Sequence, residues 1–470
     1  MLNCSVCVDS RLVTKGDIFV AIDCTSLASN VRDAINNGAD IIFVDHKNRD
    51  IVGLLPDPAW MGSICYVDDI RYFASHIYRM FYRRQPGCSV AITGTNGKTS
   101  SVKFLEAIWK YCGYKSGSIG TIGISIDCNV VQYTKNTTPG PSVLYKMLDN
   151  MYERGVTNVA FEVSSHSVRQ KRFSHVNIDL VAITNIAEDH IYYHKNLDDY
   201  RMSKLELLDF IGQDKYAVVS MDDERTMQDV IKRHSKIITF GICSDAHVRA
   251  SNVSYDDSCV KFNLTIGDVS RYVEAPVVGE YQVKNILCAC SCAIATGCKT
   301  NDVFDAIGSL PKVSGRAEFV TEYNGGKIFV DFAHNGDGLK NCLKFFRSIC
   351  YGKLICVFGV SDKDYEIRCK QMADSVSEYC DYAIVTDDNI DNETKRDIIA
   401  DMICRELQPE KHTYCSDRFS AIQIGVSMIG CGDILVVAGR GPEPKQLVGG
   451  VEIDFRDRDK ITEIVNKLSL

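Results

Sequence analysis

Gly94-Thr95-Asn96-Gly97-Lys98-Thr99-Ser100 is a run whose residue types and spacing suit one task, the holding of polyphosphate. Glycines at 94 and 97 let successive backbone N–H groups turn toward phosphate oxygens where bulkier residues would block them. Lys98 supplies positive charge for the β- and γ-phosphates, and the Thr99 hydroxyl suits Mg²⁺, a hard cation that prefers oxygen. The apolar run Cys88-Ser89-Val90-Ala91-Ile92 before the loop predicts a strand, and Val102 to Cys112 after it predicts a helix. That helix would turn its positive dipole end toward the anion. The strict phosphate-loop spacing would put a glycine at 92, where this chain has Ile92, so the loop is a shortened form. A Gly-rich turn that merely precedes a helix would leave Lys98-Thr99 unexplained. A nucleotide with Mg²⁺ is the expected ligand.

Such a loop needs a sheet beneath it and helices around it. At 470 residues the chain is too long for one ordinary core, and three domains are expected: 1–86, 87–311 and 312–470. Residues 1–86 contain the β-like runs Ile18–Ile22 and Ile41–Val44 with a helix between them, and Arg83-Arg84-Gln85-Pro86-Gly87 reads as a linker. Residues 87–311 alternate apolar runs such as Leu180–Ile183 and Tyr216–Val219 with helix-like stretches, the pattern of a mostly parallel sheet covered by helices. From 312 onward, Lys327–Val330, Leu354–Phe358, Tyr382–Val385 and Ile434–Val437 each run into a polar or Gly-rich loop, where open α/β sheets place their ligands. The fold class expected is α/β, with a central P-loop-type mostly parallel sheet, a C-terminal Rossmann-like domain and clefts between domains.

A hydrophobic content of 45% and a charged content of 24% are those of a globular protein in water. A formal charge of -8 argues against non-specific nucleic-acid binding, which needs a basic face. No apolar run reaches the ~18 residues of a membrane span, and Met1-Leu2-Asn3-Cys4-Ser5 lacks the pattern of a signal peptide. A cytoplasmic location is expected, and with it reduced thiols for the 21 cysteines. Cys288, Cys290 and Cys292 fall on one predicted helix as small apolar residues. Cys4-Ser5-Val6-Cys7 has zinc-ligand spacing, but no second pair completes a site.

The shortened loop resembles the ATP loop of the Mur ligases and of their relative folylpolyglutamate synthetase, and further motifs follow in the family's order. Asp9-Ser10-Arg11 and Lys15-Gly16-Asp17-Ile18-Phe19-Val20-Ala21 resemble the signature of a UDP-binding domain, which folylpolyglutamate synthetases lack. Asn136-Thr137-Thr138 and Glu162-Val163-Ser164-Ser165-His166-Ser167 resemble segments of the tripeptide synthetases of the family. Thr184-Asn185 with Asp189-His190 and Tyr193-His194, Gly315-Arg316 with Glu318, and Asp331-Phe332-Ala333-His334 continue the series. Together these motifs span almost the whole chain and are far more specific than any one of them.

The resemblance implies an ATP-dependent, ADP-forming amide ligase of peptidoglycan synthesis. Its substrates would be UDP-MurNAc-L-Ala-D-Glu, activated as an acyl phosphate, and a diamino acid added as the third residue. Charge of this size calls for Lys, Arg and metal ions. By resemblance the catalytic set is Lys98, Glu162, His190 and Lys204, and Mg²⁺ is held by Thr99, Glu162, His190 and a carbamylated Lys204. Read without the family, Lys204 is a surface lysine on an amphipathic helix, His190 a core histidine and Glu162 a turn carboxylate. ATP is expected on Gly94, Thr95, Asn96, Gly97, Lys98, Thr99 and Ser100, with Asn285 near the base and Arg316 and His334 reaching in from the third domain. Ser10 would lie near the uridine, while Asn136, Thr137, Thr138, Ser164, Gln170 and Arg172 line the path of the sugar peptide. A site split between domains implies closure of the third on the second. A monomer that enters no membrane is expected.

The incoming amino acid is where the pattern changes. Family members that use meso-diaminopimelate carry D-N-P-R, whose arginine grips the distal carboxylate; here the segment is Asp388-Asn389-Ile390-Asp391. An acid at 391 repels a distal carboxylate and favours a distal ammonium, as in L-lysine. G-K-G-H-E has become Gly439-Arg440-Gly441-Pro442-Glu443, which offers Arg440 as an alternative positive charge. The amino-acid pocket is expected from Asp388, Asn389, Asp391, Gly439 and Glu443. Gly359-Val360-Ser361-Asp362-Lys363-Asp364 and Asn335-Gly336 also depart from the family pattern. Two other readings are a relative recruited to a different peptide or natural product, and a non-catalytic nucleotide-binding homologue. Intact Asn136–Thr138 and Ser164–Arg172 weigh against the first, and intact Lys98, Thr99, Glu162, His190 and Lys204 against the second.

Overall fold

The computed structural model describes residues 4–22, 26–52, 63–189, 192–242, 245–362 and 365–469. His190 of the expected catalytic set, and Lys363-Asp364 of the altered loop, lie outside the described residues.

Among the described residues three large sheets succeed one another along the chain, and Lys445–Val448 pairs with Val451–Asp454 in a small two-stranded one. The first is a four-stranded parallel sheet of Val6–Cys7, Ile18–Val20, Ile41–Asp45 and Ile64–Val67, in that order. Asp17 braces its start by accepting from the Thr14 and Ser5 amides, both at 2.9 Å, and from both hydroxyls. Burial raises the Asp17 carboxyl, but these bonds outweigh it and hold the group down at about 2. Asp17 of the UDP-domain signature is therefore a structural tie.

The second sheet has 11 strands with Cys88–Thr93 near its middle, flanked by Leu180–Ile183 and Asn158–Val163, all parallel. Both faces are covered, so its strands are continuous apolar runs rather than alternating ones. Val90 and Ile92 pack into the core on one face, and Ala91 into the core on the other. Both edges are antiparallel: Val248–Tyr255, Val260–Ile266 and Val269–Ala275 form one, Gly123–Ile126 and Asn129–Gln132 the other. The expected parallel sheet is thus the centre of a larger mixed one.

The helix Lys98–Tyr111 buries Phe104, Leu105, Ile108 and Trp109 against that sheet and against the helix Glu280–Ala295. Each such side chain contributes roughly 1.5–3 kcal/mol. The Trp109 indole donates to the Thr296 hydroxyl at 2.9 Å, so its polar edge is satisfied. Cys288, Cys290 and Cys292 are fully buried on Glu280–Ala295, and every described cysteine is free, as expected of small apolar residues.

The third sheet has six strands in the order Glu318–Tyr323, Gly326–Asp331, Ile434–Ala438, Leu354–Phe358, Tyr382–Val385, His412–Tyr414, parallel except for its first pair. Its apolar side chains fill one core on each face. Among the described residues no helix is long and apolar enough to cross a membrane.

Candidate active site

The loop 94–97 joins the strand Cys88–Thr93 directly to the helix Lys98–Tyr111. Gly97 caps that helix with φ 87°, and a Cβ there would strike Oδ1 of Asn285. Gly94 has φ 150° and a Cβ there would strike the Thr184 hydroxyl. Both positions require glycine on two counts, backbone and space. The loop is held from behind: Thr184 Oγ1 donates to the Asn96 carbonyl at 2.6 Å, and Asn185 Oδ1 accepts from the Asn96 amide at 3.0 Å. Lys98 Nζ donates to the carbonyls of Gly94 at 2.8 Å and Thr95 at 2.9 Å, which keeps its charge over the loop.

Glu162, near the end of the strand Asn158–Val163, is 1% exposed and aims at this loop. Its carboxylate accepts from the Thr99 hydroxyl at 3.0 Å and from the Thr121 amide at 2.8 Å. Gly120 leaves the space that this carboxylate fills. Burial pushes the Glu162 carboxyl up and the Lys98 ammonium down, while each charge opposes the other's shift. Two oxygen donors this close, buried and beside a phosphate loop, are the donor set a hard divalent cation takes, so these residues fit Mg²⁺.

Lys204, on the helix Leu197–Leu205, is 2% exposed; it donates to the Gly94 carbonyl and lies 4.6 Å from the Tyr200 ring centre. Burial and then the neighbouring charge of Lys98 push its ammonium well down. Lys204 is therefore not a surface lysine. Among the described residues no group of three or more His, Cys, Asp or Glu is arranged to hold a metal.

A cavity of about 490 Å³ opens beside the loop between the second and third sheets, lined by Asn96, Gly97, Asn285, Tyr281, Arg316 and Asp337 among others. Its size and mixed polarity fit a nucleoside. Arg316 crosses from the third sheet's side, donating to Thr99 Oγ1 at 3.1 Å with its guanidinium over the Phe332 ring. Asp331 sets that loop by accepting from the amides of Ala317 and Ala333, at 2.6 and 2.8 Å, and from the Tyr281 hydroxyl. His334 is held by the Phe332 carbonyl, and burial with the nearby charge of Arg368 pushes it down to about 4.

On the other side of Glu162 the sugar-peptide candidates gather. Thr138 Oγ1 donates to the Glu162 carbonyl at 2.8 Å and accepts from the Ser164 amide at 3.1 Å. Thr121 donates to Thr137, and Arg172 binds Gln170 Oε1 and the Thr138 carbonyl. Asn136 is exposed in the preceding loop. Ser10 stays apart, buried in the turn Ser10–Leu12 of the first sheet, where its carbonyl accepts from Asn37.

Asp388, Asn389, Gly439 and Glu443 meet where the third sheet's strands end. Asn389 donates to Glu443 at 3.1 Å. Arg440 donates to Asn389 at 2.8 Å and to the carbonyls of Lys445 and Phe455, and is 0% exposed. It is a brace inside the pocket wall and does not present the free charge expected as an alternative clamp. Asp391 is exposed and stands at the rim. Burial and the charge of Asp388 push Glu443 up to about 7, although Arg440 opposes them.

Comparison with known proteins decides what family this arrangement belongs to. Residues 92–293 match the Mur ligase middle domain, and residues 315–441 the glutamate ligase domain of Mur ligases. The UDP-N-acetylmuramoyl-L-alanyl-D-glutamate--2,6-diaminopimelate ligase of Rhizobium meliloti (strain 1021) is 32% identical over 474 residues, covering 98% of this chain and 94% of its own. The chain belongs to the Mur ligase family. Two solved Mur ligases share its fold. One is a 2,6-diaminopimelate ligase, with TM-score 0.64, 24% identity and coverage of 99% and 95%. The other is a Thermotoga maritima MurF–ADP complex, with TM-score 0.69, 17% identity and coverage of 99% and 98%.

In this Mur ligase the second and third sheets bring Thr99, Glu162, Lys98, Lys204, Arg316 and Asn285 around one cleft, with Thr138, Ser164, Gln170 and Arg172 adjoining it. Asp388, Asn389 and Glu443 form a separate cluster, with Asp391 at its rim. Sequence reasoning gave no role to Asp189, Asp331, Tyr281 or Arg368. Asp189 and Asp331 stood inside quoted motifs, whereas Arg368 carries no local signal at all.

Proposed function

We propose that this Mur ligase uses ATP to join the D-glutamyl carboxylate of UDP-N-acetylmuramoyl-L-alanyl-D-glutamate to a diamino acid. The division 1–86, 87–311, 312–470 then assigns uridine, ATP and amino acid to successive domains. What carries the reading is the position of Glu162. Its carboxylate faces the phosphate loop through Thr99, and its backbone carbonyl faces the sugar-peptide path through Thr138. ATP and acceptor candidates therefore meet at one residue.

Lys98 and Arg316 would hold the γ-phosphate as it moves to the carboxylate, and Arg172 would orient the acceptor with its planar fork. Thr99, Glu162, His190 and a carbamylated Lys204 would hold Mg²⁺, which neutralises phosphate charge when bound. Ser10 would bind the uridine, and His334 and Asn285 the nucleoside of ATP. Glu443, with Asp388 and Asn389, would receive the ammonium of the incoming amino acid. Covering the cleft with the third sheet excludes water from the acyl phosphate until the amine attacks.

The relatives' names point to 2,6-diaminopimelate as the amino acid. One observation favours a second reading: Asp391 stands at the rim and Arg440 is buried, which favours a distal ammonium such as that of L-lysine. Phosphate release from ATP with Mg²⁺, the sugar dipeptide and a panel of L-lysine, L-ornithine, meso-diaminopimelate and monofunctional acids tests both. Release that requires the sugar dipeptide and one diamino acid supports ligation and names the acid. Release with none contradicts the proposal.

A further inference from the structure

Asp189 leaves the second sheet's side of the cleft and is gripped from the third. Arg368, on the helix Tyr365–Tyr379, donates to its Oδ1 at 2.5 Å, and Asn335 donates to its Oδ2 at 3.1 Å. The two side chains of the ion pair are 7% and 3% exposed. Asn335 also caps the helix Gly336–Ile349 by accepting from the Gly338 amide at 2.8 Å, so its two ends tie that helix to Asp189. Ser375 of the Arg368 helix donates to the Gly336 carbonyl at 3.3 Å, which makes the two helices one unit. More exposed contacts ring this core: Asn96 with Asp337 at 2.8 Å, and Gln371 with Glu188 at 3.0 Å.

The location matters because the helix start that grips Asp189 also touches the phosphate loop, where Asn96 donates to Asp337 and accepts from Asn335. A pair that is dry only while the two bodies touch favours the closed state alone, and such differential interaction is what shifts a two-state equilibrium. Opening the cleft would break the Arg368 and Asn335 bonds to Asp189 together. Broken by mutation in the closed state, one partner would be a buried unpaired charge.

We propose that Arg368 and Asn335, by seizing Asp189, form the latch that holds the third domain closed over the phosphate loop. Arg368 is thus a positioning residue for ligation, acting through Asp189 and Asn335 on the phosphate loop at Asn96. The proposal rests on the ligase reading for its kinetic consequence and on the domain contact alone for its structural one.

The test uses the full chain and the variants R368Q, R368K, D189N and the double variant D189N/R368Q. Steady-state kinetics should show R368Q slowed in kcat by about 100-fold, the scale of a misplaced reacting group. Its KM for the sugar dipeptide should stay within about twofold, because that path is untouched. R368K should recover part of the loss, and the double variant should be no slower than D189N. Small-angle X-ray scattering with a non-hydrolysable ATP analogue should show wild type and R368K more compact than R368Q. Unchanged kcat in R368Q, losses that multiply in the double variant, or equal compaction in R368Q would each overturn the latch. A wild type that ligates no amino acid sinks the ligase reading instead, and the scattering comparison still decides the latch.

Discussion

Lys204 donates to the carbonyl oxygen of Gly94 at 2.9 Å, so a lysine 110 residues downstream touches the first residue of the phosphate loop. An ammonium there is costly, because burial and Lys98 both oppose the charge. A neutral amine is the form that attacks carbon dioxide, and the carbamate formed with loss of a proton is an anion that suits Mg²⁺. Activity should rise with added bicarbonate, and ¹³C-bicarbonate should give a carbamate resonance that Lys204→Met lacks. Lys204→Met should lower kcat by about 10²–10³, the scale of losing one electrostatic contact at a reacting charge. Full activity in Lys204→Met would remove this residue from the site.

The same loop predicts a separation of binding from chemistry. Gly97→Ala strains a left-handed backbone, at about 1–2 kcal/mol, and drives its Cβ into Asn285. Calorimetric titration with an ATP analogue should show weakened binding. Lys98→Met should lower kcat by about 10²–10³, because its charge over the loop is lost.

Glu443 gives the amino-acid pocket a pH dependence. Burial and Asp388 raise its carboxyl to about 7. Below that pH it is neutral, and above it the anion attracts an ammonium. KM for the amino acid should therefore fall as pH rises through about 7, and Glu443→Gln should flatten the profile. The effect on stability has the opposite sense. Between the ordinary carboxylate value and about 7 the folded state binds more protons than the unfolded, so this group's contribution declines as pH rises there.

His334 acts on stability from the other side. Burial, with Arg368 nearby, lowers it from 6.5 to about 4. Between those values the unfolded chain binds the proton and the folded one does not, so stability is lost as pH falls from 6.5 toward 4. The contribution is about 1.4 kcal/mol per pH unit. Urea midpoints across that window should fall less steeply for His334→Gln than for wild type; equal slopes would count against a buried neutral imidazole.

The phosphate loop was legible because its information is local: two glycines, a lysine and a threonine within six positions define both backbone path and ligand. The cysteine-bearing helix was legible because Cys288, Cys290 and Cys292 fall among other apolar side chains. Arg368 was not legible. Its partner Asp189 lies 179 residues away, and nothing within a turn of either hints at the pairing. Arg440 differs in the opposite sense: the sequence offers it as a positive charge for the substrate, yet the side chain is buried, bonded to Asn389 and two backbone carbonyls and paired with Asp388 and Glu443. The antiparallel edges went unseen because alternation along Val248–Tyr255 and Val260–Ile266 marks strands without marking their direction. Asp17 shows how a motif residue can serve the fold rather than the ligand.

The central claim is that one site couples ATP cleavage to amide formation at the D-glutamyl carboxylate. The most direct measurement uses UDP-MurNAc-L-Ala-D-Glu carrying ¹⁸O in that carboxylate, with ATP, Mg²⁺ and the diamino acid selected by the panel. Mass spectrometry of both products should find the sugar tripeptide and one ¹⁸O in the released phosphate, the mark of an acyl phosphate. Unlabelled phosphate without any tripeptide would mean simple ATP hydrolysis and would contradict the account.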